Sequence, residues 1–104
     1  MDQLKCCVVI PTYNNHKTLK KVIEGVLQYT QNLIVVNDGS TDTTPHILNG
    51  FPHIHTLSLP HNTGKGYALR KGFEMALEQG FHFAITIDSD GQHFPDDIPL
   101  FINS

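Results

Sequence analysis

The sequence predicts an α/β fold: a parallel sheet with helices on both faces. Three observations predict it. Four short apolar runs recur along the 104 residues. Helix-like stretches separate them. Each run gives way to a polar loop, and such alternation means parallel strands joined by right-handed crossovers.

Lys5–Ile10 (KCCVVI) reads as a buried first strand, ended by Pro11, which has no N–H to give a ladder. A helix then starts at His16 or Lys17, with Asn14 or Asn15 as cap. Leu19, Val22, Ile23, Val26 and Leu27 follow helical spacing on one face, and the pattern fades near Tyr29 and Thr30. Asn32–Asn37 (NLIVVN) is a second buried strand. Thr43–Leu48 reads as a short helix, capped by Asp42 or Thr43, with Pro45 in its first turn.

His53–Leu59 alternates loosely and reads as a third, more exposed strand. The turn Pro60-His61-Asn62-Thr63-Gly64 leads into a long helix over Lys65–Gln79, closed by Gly80. Its expected buried face is Leu69, Gly72, Phe73, Ala76 and Leu77. Phe81–Ile87 is a fourth buried strand, and Pro95–Ile102 a last short helix. The order β-α-β-α-β-α-β-α makes a Rossmann-like, three-layer α/β/α half with strand order 3-2-1-4. Its switch point lies between the first and fourth strands. There the loops Pro11–Asn15 and Asp88–His93 meet, with Asp38–Asp42 close by.

Composition narrows the function classes. With 39% hydrophobic and 16% charged residues the chain is an ordinary globular sequence, fit for one domain. A net charge of -3 argues against general nucleic-acid binding. Lys17, Lys20 and Lys21 read as a solvated helix face. No apolar run reaches membrane-spanning length, and no signal peptide is visible. Cys6 and Cys7 are neighbours in a strand and point to opposite faces, so they read as reduced thiols of a cytoplasmic protein. His53 and His55, with His61 nearby, read as an edge-strand surface pair rather than a zinc site.

The chemistry-bearing stretch is Ile87-Asp88-Ser89-Asp90-Gly91-Gln92-His93. An apolar run stops on two carboxylates one residue apart, where open α/β sheets bind ligands. Such a pair suits a divalent cation carrying phosphates. Its plain alternative is the start of a loop, where Asp, Ser and Gly are common.

Four blocks carry a resemblance: VVIPTYNN at 8–15, VVNDGSTD at 35–42, NTGKGYALRKG at 62–72 and IDSDGQH at 87–93. Together they resemble the start of a family 2 glycosyltransferase with the GT-A fold. The branch most similar is that of the dolichyl- and polyprenyl-phosphate sugar synthases. The resemblance implies that 1–104 is the N-terminal, nucleotide-sugar-binding part of such a domain, truncated before the acceptor half. It implies a UDP- or GDP-sugar donor, a Mg²⁺ or Mn²⁺ cofactor, and a polyprenyl phosphate or a glycan as acceptor. Pro11, Tyr13 and Asn14 match the lining of the nucleoside pocket, although Tyr13 could equally cover the strand edge. Asp38 matches the acid that meets the base, Lys65 a basic position near the nucleotide, Asp88 the acid near the ribose and Asp90 the metal ligand. Asp42 reads as a helix cap.

No residue matches the catalytic base of the acceptor half; Asp96 and Asp97 come too soon after the motif. The expectation is a chain that binds donor and transfers no sugar alone, at the inner face of a membrane in a longer protein. Its fourth strand would be a free edge, open to pairing with a second copy. Two other readings compete. A non-catalytic nucleotide-sugar-binding module uses the same loops. A haloacid dehalogenase-like phosphatase also has D-x-D at a strand end, but there the motif comes first and a Thr follows, where this chain has Gln92 and His93.

Overall fold

The computed structural model describes residues 6–87. The chain runs β1 (Cys6–Thr12), α1 (His16–Leu27), β2 (Leu33–Asn37), α2 (Thr44–Asn49), β3 (His55–Ser58), α3 (Lys65–Glu78) and β4 (Phe83–Thr86). The four strands form one sheet in the order β3-β2-β1-β4, every pair parallel, as predicted. The predicted helix at Pro95–Ile102 and the carboxylates Asp88 and Asp90 lie outside the described residues.

β1 and β2 are buried along their whole lengths, because helices cover both faces. On one face Val8, Ile10, Leu33 and Val35 pack with Leu19, Ile23 and Val26 of α1 and Leu48 of α2. On the other, Cys7, Val9, Ile34 and Val36 pack with Ala68 and Ala76 of α3. Each buried Val, Leu or Ile side chain is worth about 1.5–3 kcal/mol, and these two strands supply half of those among the described residues.

Three expectations are corrected. Pro11 does not end β1, which pairs on through Pro11↔Val36 and Thr12↔Asn37. Val9 O accepts from Ile87 N on the β4 side, so two residues later the missing N–H of Pro11 falls on that side as well. Among the described residues the register with β4 runs from Cys6↔Phe83 to Val9↔Thr86, short of Pro11. The buried face of α3 is Ala68, Gly72 and Ala76, with Phe73 38% and Leu77 70% exposed. Small residues win because the helix lies so close to the sheet: a Cβ on Gly72 would sit 2.5 Å from Val9 Cγ1. Finally, β4 is not a buried strand. As the sheet edge it leaves Phe83 62% exposed, and only Ile87 beyond it is buried.

The buried cysteines are free, as expected. Burial raises the pKa of both thiols, that of Cys7 to about 11, so neither is a ready nucleophile.

Candidate functional site

Parallel strands bring the loops after β1 and β2, and the start of α3, to one sheet edge. The loop after β2, Asp38–Asp42, holds the other two in place. On the β1 side, Asn14 N donates to Ser40 Oγ (3.0 Å), and Thr41 N donates to Asn14 Oδ1 (2.8 Å). Asn14 sits in the left-handed region at φ 54, which Asn tolerates better than most residues. The amide of Ser40 also donates to Asn37 Oδ1 at 3.0 Å, which tightens the turn as β2 ends.

Asp42 closes this side. Its Oδ1 accepts from Thr44 N at 2.9 Å and from Thr44 Oγ1 at 2.5 Å, so it caps α2. Its Oδ2 accepts from His16 N at 3.2 Å and lies 2.8 Å from His16 Nδ1, so it also caps α1. Asn15 and Thr43, at the formal cap positions, make no side-chain cap bond. Burial works against the charge on Asp42, but the bonds from Thr44 and His16 outweigh it and hold its pKa at about 2.

On the α3 side the loop after β2 meets the turn that precedes Lys65. Asp38 is 3% exposed. Its Oδ1 accepts from Thr63 N (2.8 Å) and Thr63 Oγ1 (2.6 Å), and its Oδ2 from Gly64 N (2.9 Å) and Asn62 Nδ2 (3.2 Å). Gly39, at φ 73, brings the two segments together, since a Cβ there would lie 2.3 Å from the carbonyl carbon of His61.

Pro11 is buried in the last turnover of β1, Tyr13 is 44% exposed on the loop above it, and Asn14 is tied to the β2 loop. Lys65 is exposed as the first residue of α3, where the helix dipole favours anions. Asp38 is buried beneath them. Asp88 and Asp90 are outside the described residues, but Ile87, just before them, is 2% exposed and donates its N–H to Val9 O at 3.2 Å. Among the described residues no group of three or more His, Cys, Asp or Glu side chains could hold a metal ion, and that includes His53, His55 and His61.

Sequence reading did not single out Ser40, Thr41, Asn62 or Thr63, which carry the stitching. Their signal was present: small polar residues clustered around glycines between a strand and a helix.

A family profile described as Glycosyl transferase family 2 matches residues 7–104. The chain is 34% identical over 112 residues to the UDP-N-acetylglucosamine–dolichyl-phosphate N-acetylglucosaminyltransferase of Methanococcus voltae, covering 91% of this chain and 45% of that protein. It is 27% identical over 104 residues to the polyprenol monophosphomannose synthase of Mycolicibacterium smegmatis, covering 93% and 39%. Its fold matches glucosyl-3-phosphoglycerate synthase from Mycobacterium tuberculosis, solved with Mn²⁺ and UDP, at a TM-score of 0.76 and 26% identity, covering 94% of this chain and 38% of that one. The chain thus spans less than half the length of these proteins, and its sheet is part of a GT-A fold. With the profile matched over nearly all its residues, the chain belongs to glycosyl transferase family 2.

Proposed function

We propose that residues 1–104 form the donor-binding part of a glycosyltransferase that takes a nucleoside-diphosphate sugar and passes the sugar to a lipid phosphate. The observation that carries this reading is the hydrogen-bonded loop cluster at the sheet edge, tied by Asn14, Asp38 and Asp42. It offers an exposed aromatic ring at Tyr13 and a cation on a helix N-terminus at Lys65. Pro11, Tyr13 and Asn14 would line the nucleoside pocket and Lys65 would approach the diphosphate, while Asp88 would serve the ribose and Asp90 would hold Mg²⁺ or Mn²⁺. The fit of the metal rests on the donor set: two carboxylates one residue apart after Ile87, hard oxygen ligands of the kind such ions take. When bound, the ion would offset negative charge on the leaving nucleoside diphosphate.

The neighbour solved with Mn²⁺ and UDP supports the donor class. The names of the dolichyl and polyprenol relatives support the acceptor class. None of the described helices is long and apolar enough to cross a membrane. A lipid-phosphate acceptor would put the site at a membrane surface.

Calorimetric titration with UDP and GDP, each with and without Mn²⁺, tests it. Metal-dependent binding is expected, and Asp90→Ala is expected to abolish the metal dependence. Equal binding with and without Mn²⁺, or an Asp90→Ala chain that behaves as wild type, would refute the metal assignment. Sugar transfer by the 104-residue chain alone would refute the division of labour.

A further inference from the structure

We propose that the basic stripe at the start of α1, formed by Lys17, Lys20 and Lys21, is a docking face for an anionic membrane surface. It rests on the reading above for the lipid-phosphate acceptor alone. Leu19, Val22, Ile23 and Val26 of α1 are buried. Lys17, Lys20 and Lys21, at i, i+3 and i+4, share the opposite side, and all three are exposed. Glu24 continues the stripe one turn on, so the positive charge is confined to the first two turns. Those turns leave the sheet edge that carries the loop cluster. Lys21 lies only about 8 Å along the helix from His16. A membrane held by this stripe is therefore held beside the loops, where a lipid phosphate must arrive.

Two observations set this stripe apart from an ordinary solvated face. The first is that its charge is uncompensated. On α3, Lys71 Nζ lies 3.4 Å from Glu74 Oε2 and 5.4 Å from the centroid of the Tyr67 ring, and Arg70 Nε lies 3.9 Å from Glu74 Oε1. Among the described residues, Lys17, Lys20 and Lys21 have no carboxylate within ion-pair distance. Asp42, beside the start of α1, is committed to His16 and Thr44. The second is that the charge runs against the helix dipole. The first turn of α1 holds Lys17 and no acid, and its last turn holds no base. That is the reverse of the arrangement that stabilises a helix, and such departures from local stability mark functional surface. A chain of net charge -3 thus gathers unpaired positive charge on this stripe. Each lysine near an anionic lipid surface favours binding about fivefold, so the three together give about 100-fold.

Sedimentation with vesicles tests it, using phosphatidylcholine alone and phosphatidylcholine mixed with phosphatidylglycerol. The chain is expected on the mixed vesicles only, and high salt is expected to release it. The triple variant Lys17→Gln, Lys20→Gln, Lys21→Gln is expected to bind them about 100-fold more weakly, at the level of neutral vesicles. The double variant Arg70→Gln, Lys71→Gln, which removes cations from α3 instead, is expected to bind as wild type does. Equal binding to neutral vesicles would overturn the proposal, as apolar adsorption. Equal losses in the triple and double variants would overturn it as an effect of net charge. UDP titration with Mn²⁺ on the same proteins separates the nucleotide from the membrane. Weaker UDP binding by the triple variant, with vesicle binding unchanged, would overturn the proposal and assign the lysines to the donor. The expected vesicle pattern in a chain that binds no UDP would support the proposal and refute the donor reading.

Discussion

Replacing Gly39 with alanine should destabilise the chain by about 3 kcal/mol. The magnitude has two parts. At φ 73 the residue sits in the left-handed region, where a Cβ costs about 1–2 kcal/mol. The added Cβ would also lie 2.3 Å from His61 C and 2.4 Å from Asn62 N, both backbone atoms that cannot rotate away. The turn must retreat, and its retreat stretches the bonds from Asn62, Thr63 and Gly64 to Asp38. Weakening even one bond to a buried carboxylate costs about 1.5–3 kcal/mol. Gly64→Ala is the control. It also has a positive φ, at 97 with ψ 152 in a region essentially reserved for glycine, but a Cβ there meets nothing within 4 Å, so only the conformational cost of about 1–3 kcal/mol should appear. Urea unfolding would measure both variants, and amide hydrogen exchange at Thr63 and Gly64 would show whether the turn has lifted. Equal losses in the two variants, with exchange at Thr63 unchanged in Gly39→Ala, would refute the packing argument.

Two further outcomes follow from the helix ends and the sheet face. Asp42 has its pKa lowered from 3.8 to about 2, so its contribution is full above pH 3.8 and disappears as the pH falls through about 2. That difference corresponds to about 2 kcal/mol at neutral pH; Asp42→Asn should lose that much at pH 7, and its urea midpoint should converge on wild type in strong acid, whereas a gap independent of pH would rule the linkage out. Gly72→Ala should cost about 1–2 kcal/mol despite alanine's better helix propensity, since its Cβ would meet Val9 Cγ1 at 2.5 Å and Val36 Cγ2 at 3.0 Å, while Gly66→Ala in the same helix meets nothing and should be neutral or stabilising; the order of the two urea midpoints decides it.

Element identity was legible because apolar periodicity is local. The runs VVI and LIVV could be covered on both faces only as central parallel strands, and β1 and β2 are those strands. The order 3-2-1-4 followed from handed crossovers and proved right. What failed was burial at the margins. The run at Phe83–Thr86 is apolar at three of its four positions, yet no pattern within it says that it is an edge. Likewise Leu77 and Ala76 are both apolar neighbours, and only the closeness of α3 to Val9 and Val36 puts the small residue inside.

The site divides in the same way. The residue types that bear chemistry, with their place at strand ends, belong to the sequence: an acid after β2, a lysine opening α3 and a carboxylate pair after the last strand. Their order along the chain was enough to bring the family into view. Which partner each acid takes was decided only in three dimensions. Asp42 and His16 are 26 residues apart, and so are Asp38 and Gly64, so no local spacing announces either bond. Parallel crossovers bring those segments to one edge, and there a buried carboxylate must take the donors that the fold supplies.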